Sequence, residues 1–155
     1  MNRIGFEWIR SRLSDDAHEL RIVIDGDDLI ERLAAWEARL PGAKSIAGSY
    51  AGLPPSELAD GTLTSRLLRG DTIPDHPSAK TSVLYCGDCG FIGCWDMLVR
   101  VDPLPNSLRW SGFEHPHRSE DSAEYWDYSG FGPFEFDRSE YLTALDAAQV
   151  SRPSP

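Results

Sequence analysis

The sequence predicts a single α+β domain, a mostly antiparallel sheet with helices packed on one face. Three observations predict it. Short stretches of period-2 apolar alternation recur along the chain, and stretches of helical spacing lie after the first strands and at the C-terminal end. Strands and helices do not alternate in the strict order of a doubly wound parallel sheet. At 155 residues the chain can close one core without disulfides and is too short for two. Residues 1–150 are therefore expected as the domain, and 151–155, Ser-Arg-Pro-Ser-Pro, as a disordered tail.

The elements follow in order. Ile4 to Leu13 sets Phe6 and Trp8 on one alternating face, and Leu20, Ile22 and Ile24 alternate with Glu19 and Arg21 up to Asp25-Gly26, so a hairpin is expected. Asp28 with Glu31 has capping-box spacing, and Leu29, Leu33, Trp36 and Leu40 form one stripe, predicting a helix over 28–40 that Pro41-Gly42 stops. Trp36 reads as core. Residues 41–81 hold five prolines and five glycines, a long irregular crossing with one short helix through Leu63, Leu67 and Leu68. The stretch 71–78 is its most flexible part, and the crossing is a candidate lid over a pocket. Val83 to Tyr85 begin a strand, and a hairpin spans about 94–113 around Asp102-Pro103-Leu104-Pro105-Asn106. Pro133 to Phe136 is a short strand, and Asp137 with Glu140 caps a closing helix carrying Tyr141, Leu142, Leu145 and Ala148.

Composition excludes several function classes. The 25 acidic and 15 basic side chains give a net charge of -10, which repels phosphate backbones and anionic lipid. Neither a nucleic acid nor a membrane is expected as partner. The N-terminus, Met-Asn-Arg-Ile-Gly-Phe-Glu-Trp, has no signal-peptide apolar region, so the expected compartment is the cytoplasm. The charge is concentrated late: residues 1–70 balance to -2 and residues 71–155 to -8.

All three cysteines fall in Cys86-Gly-Asp-Cys89-Gly-Phe-Ile-Gly-Cys94. The glycines permit the tight turn of a zinc knuckle, and a structural zinc needs four ligands, so His115 or His117 would complete a Cys3His site. His117 is the candidate carried forward, with Cys86, Cys89 and Cys94. Cysteine is also among the most buried residue types, and an odd count gives no disulfide framework. The expected state is therefore a turn without cofactor, with zinc held open, and Cys86–Cys89 redox chemistry as a further alternative. Spacing excludes three catalytic motifs: His76 lacks the His-x-Glu of a zinc deaminase, Ser49 lacks the Gly-x-Ser-x-Gly of a nucleophile elbow, and no Gly-Lys-Ser/Thr phosphate loop occurs.

The cysteine run, the hairpin with Leu108-Arg109-Trp110 and the segment Gly132-Pro133-Phe134-x-Phe136-Asp137-Arg138-x-x-Tyr141, in that order, resemble an uncharacterised family of small bacterial proteins. The resemblance covers roughly residues 80–147. It implies a one-domain bacterial cytoplasmic protein and no particular reaction. His115 and His117 lie outside the shared pattern, so the resemblance implies that the cysteine turn shapes the fold.

Residues 114–140 carry eight carboxylates against Arg118 and Arg138, with six aromatics among them. Such a segment suits a basic partner, because Tyr and Trp are rigid anchors and carboxylates steer the encounter. Phe131, Phe134 and Phe136 read as core. Glu120, Asp121, Glu124, Tyr125, Trp126, Asp127 and Tyr128 are the candidate partner-binding residues, although the three aromatics among them suit a core equally well. The leading expectation is a non-enzymatic binding protein, an immunity or antitoxin-type neutraliser of a basic toxin. The alternative is a zinc- or thiol-dependent enzyme built on the cysteine cluster.

Overall fold

The computed structural model describes residues 1–91 and 93–154; Ile92 of the cysteine turn and Pro155 of the tail lie outside them. Strands β1 (Ile4–Arg10) and β2 (His18–Ile24) form the expected hairpin, with Phe6 opposite Ile22 and Trp8 opposite Leu20. Asp25 and Gly26 both take positive φ, 52° and 86°, in a two-residue turn that brings β3 (Asp27–Asp28) back against β2. Asn2 Nδ2 and the Arg3 amide both donate to the Asp25 carboxylate at 2.7 Å, which fixes that turn.

Helix α1 (Leu29–Glu37) starts where Asp28 accepts from the Ile30 amide at 2.7 Å. It is shorter than the predicted 28–40, the residues beyond it continuing as turns. The crossing from 41 to 81 is less irregular than expected. It contains strand β4 (Tyr50–Gly52), a 3-10 turn at Pro55–Leu58 and helix α2 (Leu63–Leu68). Leu63, read as part of the apolar stripe, is 59% exposed, because it occupies the first turn of α2 beside the Thr62 cap.

The remaining strands are β5 (Thr81–Cys86), β6 (Met97–Pro103), β7 (Ser107–Glu114) and β8 (Phe134–Asp137). Helix α3 (Arg138–Val150) closes the fold, capped by the Asp137 side chain on the Glu140 amide at 2.9 Å. Among the described residues every pairing between these strands is antiparallel, so the class is the one expected, but the strands divide into two sheets, β1-β2-β3 and β4-β5-β6-β7-β8. The sheets meet at both ends. The Leu20 amide donates to Leu53 O, and the Asn2 amide to Glu135 O, each at 2.8 Å.

The core fills the space between them. Trp110, fully buried on β7, donates to the Tyr141 hydroxyl at 3.0 Å, and that hydroxyl donates to Leu68 O at 2.8 Å. Helix α3 lies against β1, β7 and β8, and the Trp8 indole is tied to Ala148 O at 2.8 Å. Phe131, Phe134 and Phe136 are buried as read. Among the described residues no helix is long and apolar enough to cross a membrane.

One seam depends on a glycine. A Cβ at Gly52 would lie 2.1 Å from the Leu20 carbonyl oxygen, where β2 and β4 approach. Gly52→Ala is expected to cost about 3 kcal/mol, the upper part of the range for overpacking, because the obstacle is the Leu20 backbone. Urea unfolding of the variant measures it.

Candidate functional site: a three-cysteine turn and its acidic neighbour

Strand β5 ends on Cys86, and the chain then turns on Gly90 and Gly93, whose φ values are +70° and +83°. The turn is held from several sides. The Gly87 amide donates to Ser49 O at 2.9 Å and the Gly90 amide to Cys86 O at 3.0 Å. The Gly93 amide reaches both Asp96 carboxylate oxygens at 3.1 Å, and Ser82 Oγ donates to the same carboxylate at 2.9 Å. Asp96 is buried, so these donors satisfy a carboxyl group withdrawn from water.

This path brings the Cys86, Cys89 and Cys94 sulfurs within 4.8 Å of one another. In tetrahedral zinc with Zn–S bonds of about 2.3 Å, sulfurs stand ~3.8 Å apart, so only small side-chain shifts separate the two arrangements. Cys86 is buried; Cys89 and Cys94 are exposed. Burial alone would raise the Cys86 thiol, but the Asp88 and Cys89 amides and the Cys94 and Cys89 thiols outweigh it and hold Cys86 below the usual thiol range. Hydrogen bonding to Cys89 and Cys86 pushes Cys94 up to about 12. These contacts thus favour a thiolate at Cys86 over one at Cys94. The group is suited to a thiophilic divalent cation.

His117 does not join the sulfurs. Its Nε2 lies 2.7 Å from Gly93 O, and an imidazole nitrogen facing a carbonyl must carry its proton there. Among the described residues no fourth Cys, His, Asp or Glu atom belongs to the group. His115 is also withheld. It is 1% exposed, burial lowers its pKa to about 4, and its Nδ1 accepts the His117 amide at 3.2 Å. A metal on this turn would therefore take its fourth donor from water or from another molecule.

The acidic segment lies next to the turn. The Trp95 ring centroid is 4.0 Å from that of His115 and 6.0 Å from that of Trp126, and the Arg118 guanidinium covers Trp95 at 4.9 Å and Trp126 at 5.5 Å. Trp126 and Tyr128, candidate exposed anchors in the sequence, are 3% and 4% exposed. This corrects their assignment. Trp126 is stacked in this cluster with its Nε1 donating to Pro41 O at 3.2 Å, and the Tyr128 hydroxyl donates into the interior, to Glu37 Oε2 at 2.5 Å. Glu120, Asp121, Glu124, Tyr125 and Asp127 stay on the surface. The Ser129 amide, the largest influence, holds Asp127 below the usual carboxylate range. Between β7 and this loop is a cavity of about 510 Å³ with Phe113, His115, Trp126, Tyr128 and Phe131 among its lining residues. Arg109, Glu120 and Asp121 also line it.

Sequence reasoning missed Glu37. On α1 it is fully buried and accepts from the Gly48 amide at 2.9 Å and from both the Tyr50 and Tyr128 hydroxyls. Burial, the largest effect, raises its pKa despite these donors. Its signal was present: position 37 lies four residues after Leu33 on the apolar stripe.

Searches of protein-family models, curated proteins and solved structures return no match for this chain.

Proposed function

We propose that the protein is a small binding domain whose Cys86–Cys89–Cys94 turn holds a zinc ion. The observation that carries this reading is the convergence of three sulfurs within 4.8 Å on a turn with two positive-φ glycines. Packing needs one buried cysteine; it gives no reason for two exposed thiols, Cys89 and Cys94, to face the same point. Three thiolates satisfy the soft-ligand preference of zinc and leave one of its four positions to an outside donor. The ion would tie the exposed half of the turn to the end of β5. Native mass spectrometry of protein purified without chelator tests this. The expected mass is that of the chain with three deprotonated cysteines and one zinc; an apo mass with three reduced thiols after zinc exposure overturns it.

A second reading concerns the partner. Glu120, Asp121, Glu124 and Asp127 are all exposed on one short loop, with Tyr125 43% exposed among them. Carboxylates so placed favour a basic protein, as an immunity-type neutraliser of a basic toxin would, with association that weakens as salt rises. A pull-down from the native host at low and high salt should recover a basic protein at low salt only. Recovery of none at either salt counts decisively against the reading.

A further inference from the structure

We infer that metal uptake at the cysteine turn sets the position of the acidic loop, residues 119–128, and so gates binding of a basic segment there. The inference rests on the zinc and basic-partner readings above and adds a coupling between them.

The loop stands on the turn. Two residues of the turn's second half carry it, Gly93 and Trp95, and they flank Cys94. Gly93 O accepts from His117 Nε2, which fixes the 3-10 turn Pro116–Arg118. Trp95 lies beneath the Arg118 guanidinium and edge-on to His115 and Trp126. Arg118 then holds the loop twice: its carbonyl accepts the Trp126 amide at 2.9 Å, and its guanidinium pairs with Glu124 at 3.2 Å. Every step from Cys94 to Glu124 is a direct contact or a peptide bond. Arg118, Trp126 and Asp127 also line the cavity, so the same support defines one of its walls.

The support is weakest where the metal would act. The Cys94 amide reaches Phe91 O only at 3.5 Å, and Cys94 is exposed. Asp96 clamps Gly93, but through side-chain bonds alone. Trp95 Nε1 and His115 Nε2 are buried without a hydrogen-bond partner, so closing this stack leaves two donors unmet and is opposed by their desolvation. A metal joining Cys94 to Cys86 would tie the second half of the turn to β5 and oppose its opening. Ordering contributed by one ligand is then no longer required of the next, which is positive coupling.

Hydrogen–deuterium exchange with and without one equivalent of zinc, on the full chain, tests the coupling, with a deca-lysine peptide as the basic probe. In the wild type, zinc should slow exchange of amides in 119–128 by at least about tenfold. It should also strengthen deca-lysine binding about fivefold at low salt. His117→Ala and Arg118→Ala change side chains outside the sulfur group; each should keep zinc affinity within about threefold and lose both responses. Zinc uptake with unchanged loop exchange overturns the inference and leaves the zinc reading standing. Variants that respond as the wild type does overturn it too, since the coupling would not pass through these residues. Absence of zinc uptake removes the zinc reading itself, and the inference with it.

Discussion

Zinc supplied at a thousandfold excess over its wild-type dissociation constant is expected to raise the melting temperature by about 8–16 °C, and Cys86→Ser is expected to cut the rise to about a third of that or less. Linkage fixes the first figure. A ligand bound only by the native state at that excess adds about 4 kcal/mol, and a domain of this size gains about 2–4 °C per kcal/mol. Any affinity of the unfolded thiols for zinc reduces it. Cys86 is the decisive position because it is the buried sulfur, at the end of β5, and its thiol is held below the usual range. Serine offers a hard oxygen in place of a soft thiolate, and zinc affinity should fall by at least about 100-fold. Cys89→Ser and Cys94→Ser should lose a comparable amount of affinity while the apo proteins keep the wild-type melting temperature, since both residues are exposed. Differential scanning calorimetry with and without zinc reads all three. Equal melting temperatures for loaded and apo wild type would exclude the metal from any role in stability.

Glu37→Ala is expected to destabilise the protein by about 3–9 kcal/mol. The substitution leaves three donors unmatched in the interior, the Tyr50 and Tyr128 hydroxyls and the Gly48 amide, at about 1–3 kcal/mol each. Domains have only about 5–15 kcal/mol in total, so the variant should be marginal at 37 °C. Glu37→Gln separates the roles, since it keeps an acceptor for the hydroxyls and removes the ionisation. Burial places the folded-state pKa of Glu37 above its ordinary value. The native state then holds the proton more tightly than the unfolded chain does. Its contribution is complete at pH below the ordinary carboxyl range and is lost as pH rises through the raised value. Wild type should therefore lose stability relative to Glu37→Gln as pH is raised from about 4 to about 8. Urea midpoints for the two proteins across that range give the slope; a constant difference would mean that Glu37 ionises as an exposed carboxyl does.

The local elements were legible in the sequence because their causes are local. Alternation in residues 19–24, the Asp28 and Asp137 caps and the turn at 102–106 each depend on neighbours within a few positions, and each formed. The spacing of the cysteines also announced their cluster, since a glycine-rich turn of nine residues leaves three thiols little room to separate. Contacts distant in sequence were not legible. Glu19 read as the solvent side of a strand, yet it is 2% exposed, because the Gly52 amide meets it at 2.6 Å and Arg12 covers it. Glu37 is buried because Gly48, Tyr50 and Tyr128 arrive from other elements. The same tyrosine explains why an anchor expected at the surface became core. His117 had the right residue type for a ligand, and only its placement against Gly93 O assigned it to the backbone instead. Charge, fold class and the cysteine turn were thus determined by the sequence alone, through composition and short-range geometry. Which polar groups are buried, which aromatics face inward, and what the acidic loop rests on were decided by the tertiary structure, because desolvation depends on what packs against a residue and not on its neighbours in the chain.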